Sequence, residues 1–424
     1  MHAGAVADIF PITNAQATGI HDAIKNGQFA NYFLLNLGVD LDIPRFKASC
    51  AATLERYPIL RATFPSLLGK HWMVIPHYLD LPVRVLDVNE DLAKASNDFC
   101  LKEMGYLTPN EPPVEFVLLR HKDQGVRLVL RISHAQYDGV SFPNILQSIL
   151  NFYNKIEMPA VPGYPTFLVH AARQRPKAME YWSNILQGSS LAKVESRLLP
   201  QGTIPDSPPK RVMVEVNRPK VQLPGSTTNA TLISAAWAIL ISRITTTQDV
   251  IYGHTVSGRN SAIEGIEEIL GPTLNIIPVR VNLANARTPT ELLLAVQEQF
   301  LYLGESDSIG FRDIIDNCTD WPADSMFDTI IQHQNIEEHP EFGFSDASAR
   351  VEFFTNDTTV PQALSMVSYA QPDCFHFKLA GNTAILSVET GEKMIDCLTT
   401  IMGRLVSYLD SPLQSCLGDI DLRV

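Results

Sequence analysis

Hydrophobic and polar residues alternate in one stretch of the chain that ends at a histidine. Apolar residues occupy every second position there, at Val126, Leu128, Leu130 and Ile132. This period of two is typical of a strand with one apolar face. After Ser141 the spacing becomes helical, and Pro143 falls in the first turn. The sequence therefore predicts a strand, a tight loop and a helix, with His134 at the end of the strand.

The same two periods predict mixed helices and strands in both halves of the chain. In the first half they predict a helix and four strands, at 44–56 and at 32–37, 72–75, 116–119 and 126–132. In the second half they predict helices at about 177–186, 228–241 and 393–409 and strands at 250–256, 276–281, 326–332, 374–379 and 383–388, the last two forming a hairpin around Gly381-Asn382.

A proline-rich stretch after Met158 divides these two sets of elements. We therefore expect an N-terminal lobe over 1–172 and a C-terminal lobe over 173–424. Residues 258–271 and 336–361 follow neither period, and we expect these loops to border a site or to cross between lobes.

Composition excludes several classes of protein. A chain of 424 residues with 45% hydrophobic residues can bury a large core, and its net charge of −13 argues against nucleic acid as a partner. The longest apolar run, 232–242, is too short to span a membrane, and the N-terminus lacks a secretion signal, so we expect a cytoplasmic protein. Six scattered cysteines argue against a zinc site or a disulfide framework. Phosphate-loop, dinucleotide and nucleophile-elbow motifs are absent from the sequence.

His134 is the strongest candidate for chemistry. It opens a His-x-x-x-Asp-Gly string that composition alone would produce about 0.04 times in such a chain. A neutral imidazole can accept a proton near pH 7, and the backbone amide of Gly139 can donate to an oxyanion. The alternative is a buried histidine with a structural hydrogen bond. Asp138 is expected to hold the loop, which would fix the geometry of the histidine.

Six segments, taken in order, resemble one family, the condensation domains of nonribosomal peptide synthetases. They are 56–64 (RYPILRATF), 133–139 (SHAQYDG), 181–182 (YW), 249–259 (DVIYGHTVSGR), 271–280 (GPTLNIIPVR) and 327–335 (FDTIIQHQN). The opening segment 11–16 keeps only the Ala-Gln of the family's first motif.

The resemblance implies an α/β (α+β) fold of two chloramphenicol-acetyltransferase-like lobes that form a V, with His134 in a tunnel between them. It also implies that no cofactor binds directly, and that an upstream carrier domain delivers a peptidyl thioester on its phosphopantetheine arm. His134 would act as a base or as a group that positions the attacking amine, and both roles stay open. Asp138 would pair with Arg280, and Arg61 would support the site structurally. Polar groups of the tunnel would be Ser133, Ser257, Gln334 and Asn335.

Ser133 stands where the family usually has a first histidine. A Ser-His-x-x-x-Asp pattern is similar to that of the terminal condensation-like domains of fungal synthetases, which release their product by cyclisation. The resemblance suggests a quinazoline-alkaloid synthetase as the protein from which this domain comes. The Asp-Phe-Gly-Trp-Gly string of plant-type acyltransferases is absent. The chain ends without a further carrier domain, which favours a release domain. We also expect a monomer. An intermolecular condensation or ester-forming domain and an inactive docking module remain as alternatives.

Overall fold

The computed structural model describes residues 5–26, 30–79, 83–104, 109–198, 209–225, 227–334, 341–344, 347–354 and 364–418. The chain forms two compact units. The first contains Met1–Arg173, Ser261–Leu274 and Glu337–Asn356, and the second contains Gln174–Asn260, Asn275–Ile336 and Asp357–Val424. Both units mix helices and strands, as predicted.

The strands, numbered along the chain, are β1 (Val6–Pro11), β2 (Asn31–Gly38), β3 (Ser66–Leu67), β4 (Lys70–Pro76), β5 (Arg84–Asp87), β6 (Glu115–His121), β7 (Gly125–Ile132), β8 (Arg211–Pro219), β9 (Asp249–Val256), β10 (Asn275–Asn282), β11 (Thr329–Gln334), β12 (Glu341–Phe344), β13 (Ala347–Arg350), β14 (Glu352–Phe354), β15 (Leu364–Ala370) and β16 (Cys374–Asn382).

The α-helices are α1 (Asn14–Asn26), α2 (Ile43–Arg56), α3 (Leu92–Glu103), α4 (Phe142–Tyr153), α5 (Tyr164–Leu186), α6 (Glu195–Leu198), α7 (Asn229–Thr245), α8 (Pro289–Leu303), α9 (Phe311–Cys318), α10 (Val388–Ser407) and α11 (Leu413–Leu417). A short 3-10 helix, Pro58–Arg61, follows α2.

The first unit is built on a five-stranded sheet in the order β14-β2-β7-β6-β5, so the predicted strand before His134 is central. It pairs antiparallel with both neighbours, and the predicted hairpin between β6 and β7 is confirmed. Helices α2 and α4 pack against each other. Because β7 is buried almost throughout, its end is a rigid starting point for the loop that follows. The core of this unit includes Leu35, Phe46, Leu60, Phe116, Leu130 and Ile145.

The second unit is built on a six-stranded sheet in the order β10-β9-β11-β15-β16-β8. Helix α7 is buried on most sides, as its apolar sequence predicts, and the Thr228 side chain caps it by accepting a hydrogen bond from the backbone N–H of Thr231. The core includes Trp237, Leu240, Ile331, Phe377 and Ile401.

Three expectations about these elements were wrong. The hairpin around Gly381-Asn382 does not form, because β16 runs to Asn382 against β8 and Ser387 then caps α10. Helix α5 begins at Tyr164, well before the predicted start at about residue 177, and it continues through Pro176. The C-terminal lobe is not continuous, because Ser261–Leu274 and Glu337–Asn356 belong to the first unit. These are largely the two segments without periodicity.

Candidate active site

The loop between β7 and α4 presents His134 to solvent. Strand β7 ends at Ile132 and α4 begins at Phe142, as the change in period predicts. Within this loop the residues from Ala135 to Asp138 are buried, whereas His134 and Gly139 are exposed. The alternative of a buried, structural histidine is therefore wrong.

The hydrogen bond of His134 fixes its tautomer. Its Nδ1 lies 2.9 Å from the backbone carbonyl oxygen of Tyr137. A carbonyl oxygen can only accept, so Nδ1 carries a proton, and in the neutral imidazole Nε2 keeps its lone pair. Nε2 has no hydrogen-bond partner within the described part of the chain. This arrangement leaves a proton acceptor exposed, as a general base or an amine-positioning group requires.

Asp138 holds the loop through hydrogen bonds with Ser141 and Thr273. Its Oδ1 accepts a hydrogen bond of 2.7 Å from the backbone N–H of Ser141 at the start of α4. Its Oδ2 accepts from the backbone N–H and the hydroxyl of Thr273, at 3.0 and 3.1 Å. The Ser141 hydroxyl lies 3.1 Å from the backbone nitrogen of Asp138 and accepts a hydrogen bond from it. The carboxylate therefore caps the helix and joins it to Ser261–Leu274.

The Arg280 guanidinium is paired within the second unit, which argues against the predicted ion pair with Asp138. The Arg280 guanidinium pairs with both carboxylate oxygens of Asp249, at 3.0 and 2.7 Å, and its Nη1 donates to the carbonyl oxygens of Ile185 and Gln187. The Asp249 carboxylate raises the pKa of Arg280. Arg280 and Asp249 face each other across the β9–β10 pair, two positions apart in register. Arg280 therefore joins the sheet of the second unit to the end of α5.

Arg61 has a structural role, because its guanidinium donates hydrogen bonds to backbone carbonyl oxygens. It is buried, its Nε donates to the carbonyl oxygen of Pro76 at 3.3 Å, and its Nη1 donates to that of Leu54. These contacts place a positive charge at the C-terminal end of α2 and tie the helix to β4.

Two buried glutamines that sequence reasoning did not single out hold the His134 loop. Gln136 is fully buried, and its Nε2 donates to the carbonyl oxygens of Ile59 and Leu60, at 3.1 and 2.9 Å. Gln16 is also fully buried and donates to the carbonyl oxygen of Ala135 at 2.9 Å. Gln16 belongs to the Ala-Gln retained from the family's first motif, and that retention was the available signal.

Ser133 and Gly139 differ in what they offer to a substrate. Ser133 is 1% exposed, and its hydroxyl accepts a hydrogen bond from the backbone N–H of Ala135. Gly139 is exposed, and its backbone N–H donates to no acceptor among the described residues. Gly139 therefore keeps a donor available for an oxyanion.

The other predicted tunnel residues belong to the second unit. Ser257 follows β9, is exposed, and accepts a hydrogen bond of 3.3 Å from the backbone N–H of Arg259. Gln334 is half-buried at the end of β11. Strands β9 and β11 are parallel neighbours, so both residues lie at the same edge of the sheet. Asn335 lies outside the described residues.

In the described ranges, no group of three or more His, Cys, Asp or Glu side chains could hold a metal ion. The described helices also include none with the length and apolarity that a membrane span requires.

Comparison with known proteins adds sequence relatives. A family model described as "Condensation domain" matches residues 7–417. Nonribosomal peptide synthetase dtxS1 of Metarhizium robertsii is 48% identical over 96% of this chain, and nonribosomal peptide synthetase fmqA of Aspergillus fumigatus is 29% identical over 98%. The chain spans only 5% and 10% of the lengths of these two proteins.

Solved structures share the fold. A structure described as "The crystal structure of CT" aligns with a TM-score of 0.83 at 26% identity, over 98% of this chain and 93% of that one. The starter condensation domain of rhizomide synthetase RzmA aligns with a TM-score of 0.78 at 16% identity, over 98% and 100% of the two chains, which shows the fold alone.

Proposed function

This chain belongs to the condensation domain family and is of the type found in fungal nonribosomal peptide synthetases, and we propose that it releases a carrier-bound peptide by intramolecular amide formation. The observation that carries the proposal is the exposed His134, whose hydrogen bond to the Tyr137 carbonyl leaves Nε2 as a proton acceptor. The partner is an upstream carrier domain, which delivers the peptidyl thioester on its phosphopantetheine arm.

Ser133 supports cyclising release over ordinary condensation. Where the family usually has the first histidine of its motif, this chain has a buried serine whose hydroxyl accepts a hydrogen bond from the backbone N–H of Ala135. A single histidine then contacts the substrate.

The reaction is an aminolysis. An amine of the peptide attacks the thioester carbonyl carbon and forms a C–N bond, and the C–S bond breaks. His134 Nε2 accepts the proton that the amine loses and returns it to the departing pantetheine thiolate. The Gly139 amide donates to the oxyanion of the tetrahedral intermediate. Products are a cyclic amide and a free pantetheine thiol, and tethering of the amine supplies effective molarity.

A product assay tests the proposal. Linear peptidyl-pantetheine thioesters that carry a free amine are mixed with the protein and no second nucleophile, and the products are analysed by mass spectrometry. We expect a cyclic product that is lighter than the linear acid by one water. His134→Ala serves as the inactive control.

Other outcomes would point to the alternatives. Product that forms only when an acceptor amine or alcohol is added would overturn cyclisation in favour of intermolecular condensation. A protein that binds a loaded carrier and forms no product with either nucleophile would act as a docking module.

A further inference from the structure

Tyr137 contacts His134 twice. Its carbonyl oxygen accepts the hydrogen bond from Nδ1, and its side-chain ring stacks on the imidazole with centroids 4.8 Å apart and planes inclined by 12°. With this hydrogen bond alone, the plane of the exposed imidazole could still rotate about the line from Nδ1 to the carbonyl oxygen. The ring contact removes that freedom, since stacking fixes the plane of the imidazole.

The Tyr137 ring is itself immobilised in the core of the first unit. It is 4% exposed and packs against Phe33 and Phe142, at centroid distances of 5.6 and 5.5 Å. Phe33 and Phe142 stack on each other at 3.8 Å. The exposed imidazole therefore rests on an aromatic cluster in which the Tyr137 and Phe142 rings are buried and the Phe33 ring is half-buried.

Asn31 anchors the far end of the same ring. Its Nδ2 lies 2.7 Å from the Tyr137 hydroxyl oxygen and donates to it. Asn31 is the first residue of β2 and pairs with Ile132, the last residue of β7. The loop that carries His134 leaves the sheet at the end of β7. Asn31, at the adjacent end of β2, therefore anchors the Tyr137 ring on which the imidazole stacks.

We propose that Tyr137, anchored by Asn31, positions the imidazole of His134 and maintains the tautomer that leaves Nε2 unprotonated. Tyr137 and Asn31 are positioning residues, and neither is assigned contact with substrate. The face of the phenol also stabilises the imidazolium that forms when Nε2 accepts a proton, because an aromatic face attracts a cation. This inference rests on the proposed role of His134 in the reaction.

The spectroscopic test uses the intact protein labelled with ¹⁵N-histidine and needs no substrate. Long-range ¹H–¹⁵N spectra at pH 8 report which ring nitrogen carries the proton, and the His134 signals are assigned by their loss in His134→Ala. We expect the Nδ1–H tautomer in the wild type and a mixture of tautomers in Tyr137→Leu, which lacks the aromatic ring.

Kinetics with a peptidyl-pantetheine thioester give a graded series. Because small misplacements of a catalytic group are costly, we expect Tyr137→Leu to lower kcat by about 10- to 100-fold, with KM nearly unchanged. Tyr137→Phe keeps the aromatic ring and loses only the hydrogen bond from Asn31. Its kcat should therefore fall by the same factor as that of Asn31→Ala, roughly 3- to 10-fold. Because the two variants break one contact, combining them should cause no further loss.

A matched control separates positioning from general packing. Tyr153 is a buried tyrosine of the same unit, 6% exposed, whose hydroxyl accepts from the backbone N–H of Asp42. Tyr153→Leu should lower the melting temperature as Tyr137→Leu does, but leave the His134 tautomer and kcat of the folded protein unchanged.

These experiments distinguish failure of the positioning role of Tyr137 from failure of the proposed cyclisation. An unchanged tautomer and kcat in folded Tyr137→Leu, or an equal loss in Tyr153→Leu, would overturn the inference. If Tyr137→Leu does not fold, the Asn31→Ala variant provides the test. An unchanged kcat in Asn31→Ala would show that the hydrogen bond from Asn31 to Tyr137 does not position His134. A tautomer that responds as expected in a protein that forms no cyclic product would support the positioning role and reject only the cyclisation.

Discussion

The carboxylate of Asp138 accepts two hydrogen bonds from Thr273, a residue 135 positions further along the chain. Both residues are buried, at 1% exposure each. Thr273 belongs to Ser261–Leu274, a segment of the second half that joins the first unit. The contact therefore fixes that segment against the loop that carries His134.

His134→Ala is expected to abolish product formation without unfolding the protein. The side chain is exposed, and its hydrogen bond is to a carbonyl within its own loop, so little packing is lost. Turnover should fall by at least about 100-fold, while circular dichroism and the melting temperature stay near wild type. His77 is another exposed histidine of the first unit, and His77→Ala is the control. Normal turnover in a folded His134→Ala protein would exclude His134 from the mechanism.

Asp138→Ala is expected to destabilise the first unit by roughly 3 kcal/mol, because it leaves buried donors without an acceptor. Thr273→Val removes only the hydroxyl donor and should cost about 1 kcal/mol. Since these residues are in contact, a double-mutant cycle by urea unfolding should be non-additive by at least about 0.5 kcal/mol.

The corresponding cycle between Asp138→Ala and Arg280→Ala is the control. Arg280 pairs with Asp249, so these two losses should add. Coupling between Asp138 and Arg280, with additivity between Asp138 and Thr273, would contradict the arrangement described above.

Gly271→Ala is expected to destabilise the protein by more than about 2 kcal/mol. Gly271 has a φ of +146°, and an added Cβ would lie 2.2 Å from the Tyr164 ring, whose hydroxyl donates to the carbonyl oxygen of Pro272. Both backbone strain and overlap with a buried ring contribute.

Gly403→Ala is the matched control, because Gly403 lies in α10 and an added Cβ there meets no atom within 4 Å. It should raise the stability by up to about 1 kcal/mol through helix propensity. Equal melting temperatures for Gly271→Ala and the wild type would show that Tyr164 moves aside without cost.

Asp307 should make the stability of the protein fall as pH rises. It is 2% exposed, and burial raises the pKa of its carboxyl from 3.8 to about 7. The folded state therefore holds a proton that the unfolded state has lost between pH 4 and 7, so the free energy of unfolding decreases across that window. By pH 8 the shift lowers the free energy of unfolding by roughly 4 kcal/mol, because one pKa unit corresponds to about 1.4 kcal/mol.

Asp307→Asn is expected to remove this dependence. The variant should be more stable than the wild type at pH 8, and the difference should shrink towards pH 4 in urea unfolding. Asp320 is exposed, and Asp320→Asn should show no such trend. A difference for Asp307→Asn that does not change with pH would mean that the buried carboxyl is ionised throughout.

The sequence by itself determined the local elements around the site. Alternation fixes β7 and helical spacing fixes α4, because burial of one face imposes those periods on the residues concerned. The loop between them then follows, and His134 lies at its start. The resemblance carried by short segments correctly indicated the family, since those segments are local as well.

Tertiary structure alone decided which side chains meet. Asp138 binds Thr273 and Arg280 binds Asp249, although one motif, 271–280, contains both Thr273 and Arg280. Asn31 reaches Tyr137 because β2 pairs with β7 in a register that the chain does not encode locally. A hydrogen-bond partner depends on strand register and on where distant segments return, and periodicity carries no information about either. The position of His134 was therefore readable from the sequence, while the contacts that hold it were not.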